Sequence, residues 1–390
     1  MPYSVVFAAG SRADYGIMRE YLRLLGQLPG VDLSVLVTGA MLEDKYGAAV
    51  KLVEEDGFCI ACRVRLPMEG TENSRVVDCM AAALHAFGAW FAKEPCDLLI
   101  LLGDRYEMLS VAVAAAMNRV PILHVHGGEA TYANYDEFIR HCITKMSTYH
   151  FASTETYRKR IVQLGENPSR VFRTGAFGAE NCLSIKEENV PAEVKALAGE
   201  RYFVVLFHPE TISGASPGRQ VEELLAALDA FPGYRFVFIG SNADTGSDII
   251  RERVARFVRE RGNAAYFENL HPDGYHFLLR RSLGLVGNSS SGIIEAPSLG
   301  IYTVNVGDRQ AGRVKGRSVL SVPCEREAVE GAISRVLALG GRQQFENPYL
   351  VKDAARKSAE LTGRILKRLK EDASSPKVFF DIPFSLREEA

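Results

Sequence analysis

Residues 104–141 bring together Asp104, Glu129, Asp136, Glu137 and His141. Several carboxylates converging on one cleft push one pKa up and keep another low, which is what paired general acid and base catalysis needs. Asp104 sits in Gly103-Asp104-Arg105-Tyr106-Glu107, directly after the apolar run Leu98 to Leu102. A carboxylate at such a strand tip is placed for ligand contact, or for plain helix capping. His124-Val125-His126-Gly127-Gly128-Glu129 follows, and strand alternation puts both histidines on one side. Two His and a Glu at this spacing are a weak metal pattern, so acid–base chemistry is the stronger reading. Solvated helix charge is the competing account for at least one of Asp136 and Glu137.

A second set of residues suits an anion. Asn288-Ser289-Ser290-Ser291-Gly292 lies between an apolar run and a helical pattern that contains Glu295. Small residues admit a phosphate to backbone amides and serine hydroxyls, although a serine cap without ligand has the same look. No Lys follows, so this is not the ATP-binding loop of that type. Gly10-Ser11-Arg12-Ala13-Asp14-Tyr15-Gly16 offers a guanidinium for a diphosphate; the competing reading has Arg12 on the surface and Asp14 as a helix cap. It does not spell GxGxxG, so no nicotinamide cofactor is indicated. His208, in Phe207-His208-Pro209-Glu210, and Asn242, in Ser241-Asn242-Ala243-Asp244, end two further apolar runs.

These motifs need a scaffold. Strands are predicted at Tyr3 to Ala8, Val31 to Val37, Asp97 to Leu102, Val120 to Val125 and Tyr149 to Ser153. A second series is predicted at Arg201 to Phe207, Tyr234 to Ile239, Leu283 to Gly287 and Tyr302 to Val306. The runs are apolar throughout, as strands covered on both faces by crossover helices must be. The fold class is therefore α/β, with two Rossmann-like doubly wound parallel sheets. Residues 1–186 form the expected N-terminal domain on the sugar and catalytic side, and 187–364 the C-terminal domain on the nucleotide side. The stretch Glu187 to Glu200 reads as a charged linker. Asn347 to Lys370 reads as a basic amphipathic helix, and 365–390 as a tail able to pack back on the first domain. Ligands of such sheets lie beyond the carboxyl ends of the strands, so two facing domains share one cleft.

Composition excludes other classes. A formal charge of −2 excludes a broadly basic nucleic-acid binder. Neither apolar stretch around Asp97 to Met117 reaches the roughly 20 residues of a membrane span. The start Met1-Pro2-Tyr3-Ser4 lacks a secretory n-region, and the seven cysteines read as reduced and buried in a cytoplasmic protein. Cys59-x-x-Cys62 has no second pair, so no metal or redox role is expected of it.

Taken together, the motifs resemble the hydrolysing UDP-N-acetylglucosamine 2-epimerases of bacterial sialic acid (capsule) biosynthesis. The resemblance runs through GSRADYG (10–16), LLGDRYE (101–107), HVHGGE (124–129), YDEFIRHCITKMS (135–147), FHPET (207–211), GSNADTGSDII (240–250), GNSSSGIIEAPS (287–298) and NVGDRQAGR (305–313). It implies the glycosyltransferase-B architecture, a homodimer, and no cofactor or metal. It also implies conversion of UDP-N-acetylglucosamine to UDP and N-acetylmannosamine, by anti elimination to 2-acetamidoglucal and addition of water with inversion at C2. By resemblance Asp104, Glu129 and Asp136 are the catalytic carboxylates and His208 assists departure of UDP. Asp104 or Glu129 works around C2, and Asp136 orients water. Arg12, Asn242, Ser289, Ser290, Ser291 and Gly292 are assigned to UDP, Glu295 to the ribose, and Arg309 and Arg313 to further anion contacts. The uracil contact falls to the region Asn269-Leu270-His271. Asp14, Arg105, His126, Glu137 and His141 are placed against the sugar or behind the residues that touch it. Non-hydrolysing relatives carry a carboxylate where His126 stands, so its displacement here favours hydrolysis.

Alternatives stay open at this point. A paralogue hydrolysing a diacetamido-bacillosamine nucleotide would use the same phosphate residues, and a non-hydrolysing epimerase or a glycosyltransferase could share the fold. A silent nucleotide-sugar sensor would have no need of Asp104, Glu129, Asp136 and His208.

Overall fold

The structure, a computed structural model, describes residues 2–70, 72–94, 96–210, 215–240, 246–371 and 377–383. The first unit has strands β1 (Tyr3–Ala9), β2 (Val31–Thr38), β3 (Cys59–Val64), β4 (Leu98–Leu102), β5 (Ile122–Val125), β6 (Tyr149–Ala152) and β7 (Val171–Arg173). Its helices are α1 (Arg12–Gly26), α2 (Val50–Glu55), α3 (Asn73–Phe91), α4 (Tyr106–Met117), α5 (Asp136–Met146), α6 (Glu155–Gln163) and α7 (Phe177–Asn181). The strands form one parallel sheet in the order β3-β2-β1-β4-β5-β6-β7. Every residue of β4, the sheet's central LLILL, is buried. One face packs under α1 and α2 around Val5, Phe7 and Ile100; the other packs under α3, α4 and α5 around Leu99, Leu101 and Ile122.

The second unit repeats the plan. Strands β8 (Tyr202–Leu206), β9 (Arg235–Ile239), β10 (Ala264–Phe267), β11 (Gly284–Gly287), β12 (Tyr302–Val306) and β13 (Val319–Val322) are parallel in the order β10-β9-β8-β11-β12-β13. They alternate with α8 (Ala192–Ala196), α9 (Pro217–Asp229), α10 (Ser247–Glu260), α11 (Pro272–Arg281), α12 (Ser291–Ile294) and α13 (Arg326–Ala338), and α14 (Ala354–Glu371) follows. Both sheets place β1 or β8 beside the strand that reverses the winding, the position where doubly wound folds open a ligand crevice.

Four expectations change. The stretch 187–200 is not a linker: it folds into α8 and two short turns, and Val190, Val194 and Leu197 are buried in the second core. Its charges are the solvent side of an apolar anchor. The helix expected from Asn347 starts only at Ala354, because residues 347–353 run back to the first unit, where the Ala176 amide donates to the Tyr349 carbonyl at 2.9 Å. The expected boundary at 364/365 therefore falls inside α14, which packs on the first unit, chiefly on α1; Ala355, Ala359 and Ile365 are buried there and Tyr21 Oη meets Thr362 Oγ1 at 2.7 Å. Cys59 and Cys142 are exposed rather than buried, Cys59 because β3 is an edge strand. No described helix is long and apolar enough to cross a membrane.

A smaller core joins the units: Tyr157 and Ile161 of α6 and Ala176 and Ala179 around α7 pack against Ile293, Ile294 and Tyr349. The strand ends of both sheets are thereby held toward one space.

Candidate active site

That space is a cavity of about 600 Å³ lined from both units. Its first wall comes from the turns after β1, β4 and β5 and from the start of α5. Asp104, Glu129 and Asp136 all line it, as the sequence led one to expect. Glu129 is almost wholly buried, accepts a hydrogen bond from Ser153 Oγ at 2.8 Å, and is ion-paired with Arg313 of the second unit. Asp104 accepts from Arg140 Nε at 2.8 Å and also from Nη2. Burial pushes the Asp104 carboxyl up, but Arg140, with Arg313 and Arg309 behind it, more than offsets this and holds it below the usual carboxylate range. Asp136 stands in the first turn of α5, 3.5 Å from Asn134 Nδ2.

Arg140 organises this wall, and no role was assigned to it from sequence. It has no exposed surface, and it donates to the Glu129 carbonyl (2.9 Å), Glu137 Oε2 (3.0 Å) and Thr131 Oγ1 (2.7 Å) besides Asp104. Helical spacing holds the missed signal: Arg140 lies on the buried stripe with Ile143 and Thr144, where a lone surface arginine does not belong. Glu137 is a strut of the same network. It accepts from the Thr131 amide at 2.6 Å and contacts His141 at 3.3 Å; against the raising effect of burial, these bonds and Arg140 bring it down to about 2. Neither Glu137 nor His141 lines the cavity, so both act behind it.

The two histidines of β5 and its turn part ways. His124 is a core residue, bonded to the Gly103 carbonyl (2.7 Å) and Thr144 Oγ1 (3.0 Å), with burial pushing its pKa down to about 3. His126 lies past the strand in left-handed backbone (φ 65°) and lines the cavity, with Nδ1 3.8 Å from Glu129 Oε1. Burial lowers its pKa, with Glu129 opposing.

Arg12, Asp14 and Arg105 line the adjoining part. Arg12 Nη1 donates across the cleft to the Leu270 carbonyl at 3.0 Å, and burial lowers its pKa. Ser11 caps α1, accepting from the Asp14 amide at 3.3 Å; burial raises the Asp14 carboxyl to about 6, with Arg105 opposing. Arg105 Nε donates to Glu107 Oε1 at 2.5 Å. Glu107 in turn fills a notch where a Cβ on Gly10 would lie 2.6 Å from Oε1, which explains the glycine ending β1.

The second wall is richer in donors. The His208 amide donates to Asn288 Oδ1 (2.7 Å) and Asn288 Nδ2 returns a bond to the His208 carbonyl (2.8 Å), locking the ends of β8 and β11 together. His208, Ser289, Ser290, Ser291, Glu295, Arg309 and Arg313 line the cavity. Tyr275 Oη meets Ser291 Oγ at 2.6 Å, and His276 Nε2 stands 3.5 Å from Glu295 Oε2; neither Tyr275 nor His276 had drawn notice in the sequence. Gly292 does not line the cavity: a Cβ there would lie 2.6 Å from Thr303 Cγ2, so it serves the packing of α12 on β12. Of Asn269, Leu270 and His271, only Leu270 reaches the main cavity. Asn242 lies outside the described residues. Among the described residues, no group of three His, Cys, Asp or Glu side chains is arranged to hold a metal ion.

The arrangement can bind a long anionic ligand at the second wall while carboxylates act on whatever the anion is attached to. Comparisons with known proteins give the family. Residues 24–362 match the family model described as UDP-N-acetylglucosamine 2-epimerase. The chain is 43% identical over 386 residues to the polysialic acid biosynthesis protein P7 of Escherichia coli, covering 97% of both. It is 32% identical to the hydrolysing UDP-N,N'-diacetylbacillosamine 2-epimerase of Legionella pneumophila, over 83% of this chain and 86% of that one. The fold is similar to that of MnaA from S. aureus, solved with UDP, at a TM-score of 0.77 and 16% identity over 97% of this chain and all of that one.

Proposed function

The chain belongs to the UDP-N-acetylglucosamine 2-epimerase family, and from that premise we propose that it is a hydrolysing member, converting UDP-N-acetylglucosamine and water to N-acetylmannosamine and UDP. The observation that carries the reading is that one cavity brings Asp104, Glu129 and Asp136 of the first unit together with a set of anion donors, Arg12 of the same unit and Arg309, His208 and Ser289 to Ser291 of the second. The C2 hydrogen of the sugar is a weak acid. Departure of UDP therefore runs ahead of proton loss, and positive character at C1 grows beside Asp104 and Glu129 while negative charge grows on the diphosphate. Arg12, Arg309, His208 and Ser289 to Ser291 are placed to take up that charge, and Glu295 to hold the ribose. Asp104 or Glu129 removes the C2 proton, and the 2-acetamidoglucal so formed takes up water oriented by Asp136. None of these steps calls for a cofactor, and the product suits sialic acid synthesis, in keeping with the name of the Escherichia coli relative.

Hydrolysis rather than simple epimerisation is favoured by His126, which stands at the cavity wall where non-hydrolysing relatives carry a carboxylate, its pKa lowered by burial. A homodimer in the cytoplasm completes the reading. A second reading has one feature in its favour: Val76, Met80, Leu109 and Ile139 give the cavity an apolar side that would suit a 6-deoxy-4-acetamido sugar, the substrate type in the name of the Legionella relative. Separate incubations with UDP-N-acetylglucosamine and UDP-N,N'-diacetylbacillosamine decide the matter. Free N-acetylmannosamine and UDP from the first support the proposal. UDP-N-acetylmannosamine as product, or turnover of the second substrate alone, overturns it.

A further inference from the structure

Arg313, assigned above to a further anion contact, lines the cavity and is ion-paired with Glu129. The reason lies in the residue after it. Val314 donates its amide to Tyr157 Oη at 2.8 Å, Tyr157 Oη meets Tyr349 Oη at 2.8 Å, and Tyr349 Oη donates to the Val314 carbonyl at 2.8 Å. With Val314 as both first donor and last acceptor, the Tyr157 hydroxyl must donate to Tyr349, and the three groups close a ring in which each gives one proton and takes one. Both tyrosines are fully buried. Two further contacts hold the same loop to the first unit: the Tyr132 amide donates to the Ala311 carbonyl at 3.2 Å, and Gly312, at φ 88°, leaves a Cβ position only 2.8 Å from Ala130 Cβ. The loop that carries Arg313 is thus tied to both units, since Arg309 and Gln310 also donate to the Asn288 carbonyl of the second.

The geometry points to Tyr157 and Tyr349 as positioning residues for the reaction: they fix Val314, hence Arg313, hence the orientation of the Glu129 carboxylate. Neither tyrosine lines the cavity, so they act through Arg313 and touch no substrate. A ring of this kind also resists sliding of the loop when the diphosphate draws on the same guanidinium. Arg313 therefore stays with Glu129 while Arg12 and Arg309 receive the phosphates. The catalytic part of this inference rests on the proposed hydrolysis; the clamp itself does not.

Two measurements on Tyr157→Phe and Tyr349→Phe test it. Each variant removes one oxygen from a retained ring. Hydrogen–deuterium exchange at the Val314 amide should quicken at least about tenfold in Tyr157→Phe, the loss expected of one buried hydrogen bond, with exchange in β4 unchanged. An unchanged Val314 rate would overturn the clamp whatever the reaction proves to be. In steady-state UDP release, both variants should lose about tenfold in kcat with KM within about twofold. In an Arg313→Lys background the same substitutions should cost less than about twofold more, because partners in one chain of action are not additive. The full tenfold loss repeated in that background, or wild-type kcat in both variants, would overturn the positioning role. Absence of UDP release by the wild-type protein would instead strike at the proposed function, leaving the exchange result to judge the clamp.

Discussion

The guanidinium of Arg140, with no surface open to solvent, grips the Asp104 carboxylate at the cavity wall through Nε at 2.8 Å and Nη2. One residue on α5 thus leads the arginines that hold a carboxylate just past β4 below the usual carboxylate range, against the raising effect of burial. A buried pair of this kind is weak evidence of net stabilisation, but removing one partner strands the other.

Arg140→Gln should therefore destabilise the protein by about 3 kcal/mol and cut UDP release by about a hundredfold. Adding Asp104→Asn should recover much of the stability, since the stranded charge is gone, and none of the turnover. Urea unfolding and UDP release, measured on the single and double variants, check both halves.

The two acid–base candidates have a simpler expectation. Asp104→Asn and Glu129→Gln should each slow UDP release by about 10³-fold, the usual scale for losing a positioned acid or base. UDP binding by calorimetry should stay within about threefold, because Arg309, His208 and Ser289 to Ser291, most of the diphosphate residues, lie on the opposite wall. Wild-type turnover by Glu129→Gln would remove Glu129 from the mechanism, and Tyr157 and Tyr349 with it.

His124 gives the pH dependence. Burial depresses its pKa to about 3 in the folded protein, against about 6.5 unfolded. Between those values the unfolded chain binds the extra proton, so stability falls as pH drops from about 6.5 toward 3, by up to about 1.4 kcal/mol per unit. Burial shifts His126 and His150 in the same direction. His124→Gln should lower the proton uptake on unfolding near pH 5 by about one, read from the slope of unfolding free energy against pH.

Gly287 ends β11 at φ 140°, where a Cβ would stand 2.1 Å from the Leu206 carbonyl oxygen. Both atoms are held by the sheet, so neither can give way. Gly287→Ala should cost about 3 kcal/mol of stability and weaken UDP binding through the displaced Asn288 and Ser289. Chemical denaturation beside UDP titration would show it.

The buried centres of both sheets were legible in the sequence because they are continuous apolar runs. The edge strands β3, β7, β10 and β13 were not, since a half-exposed short strand carries no such run. The motifs at strand ends marked Asp104, Glu129, His208 and Ser289 to Ser291, all of which do line the cavity. Pairing was beyond reach: nothing local says that Arg313 meets a carboxylate 184 positions away in the chain (313 less 129), or that Arg140 faces inward. His124 and His126 looked equivalent by alternation, and only the end of β5 at Val125, with left-handed backbone at His126, separates the core residue from the cavity residue.

Elimination of UDP followed by addition of water is the central claim, and one incubation tests it most directly. UDP-N-acetylglucosamine is supplied in deuterated water and followed by proton NMR. The predicted result is free N-acetylmannosamine carrying one deuterium at C2, appearing in step with UDP. N-acetylmannosamine that keeps the substrate's protium at C2, or a product still joined to UDP, would contradict it.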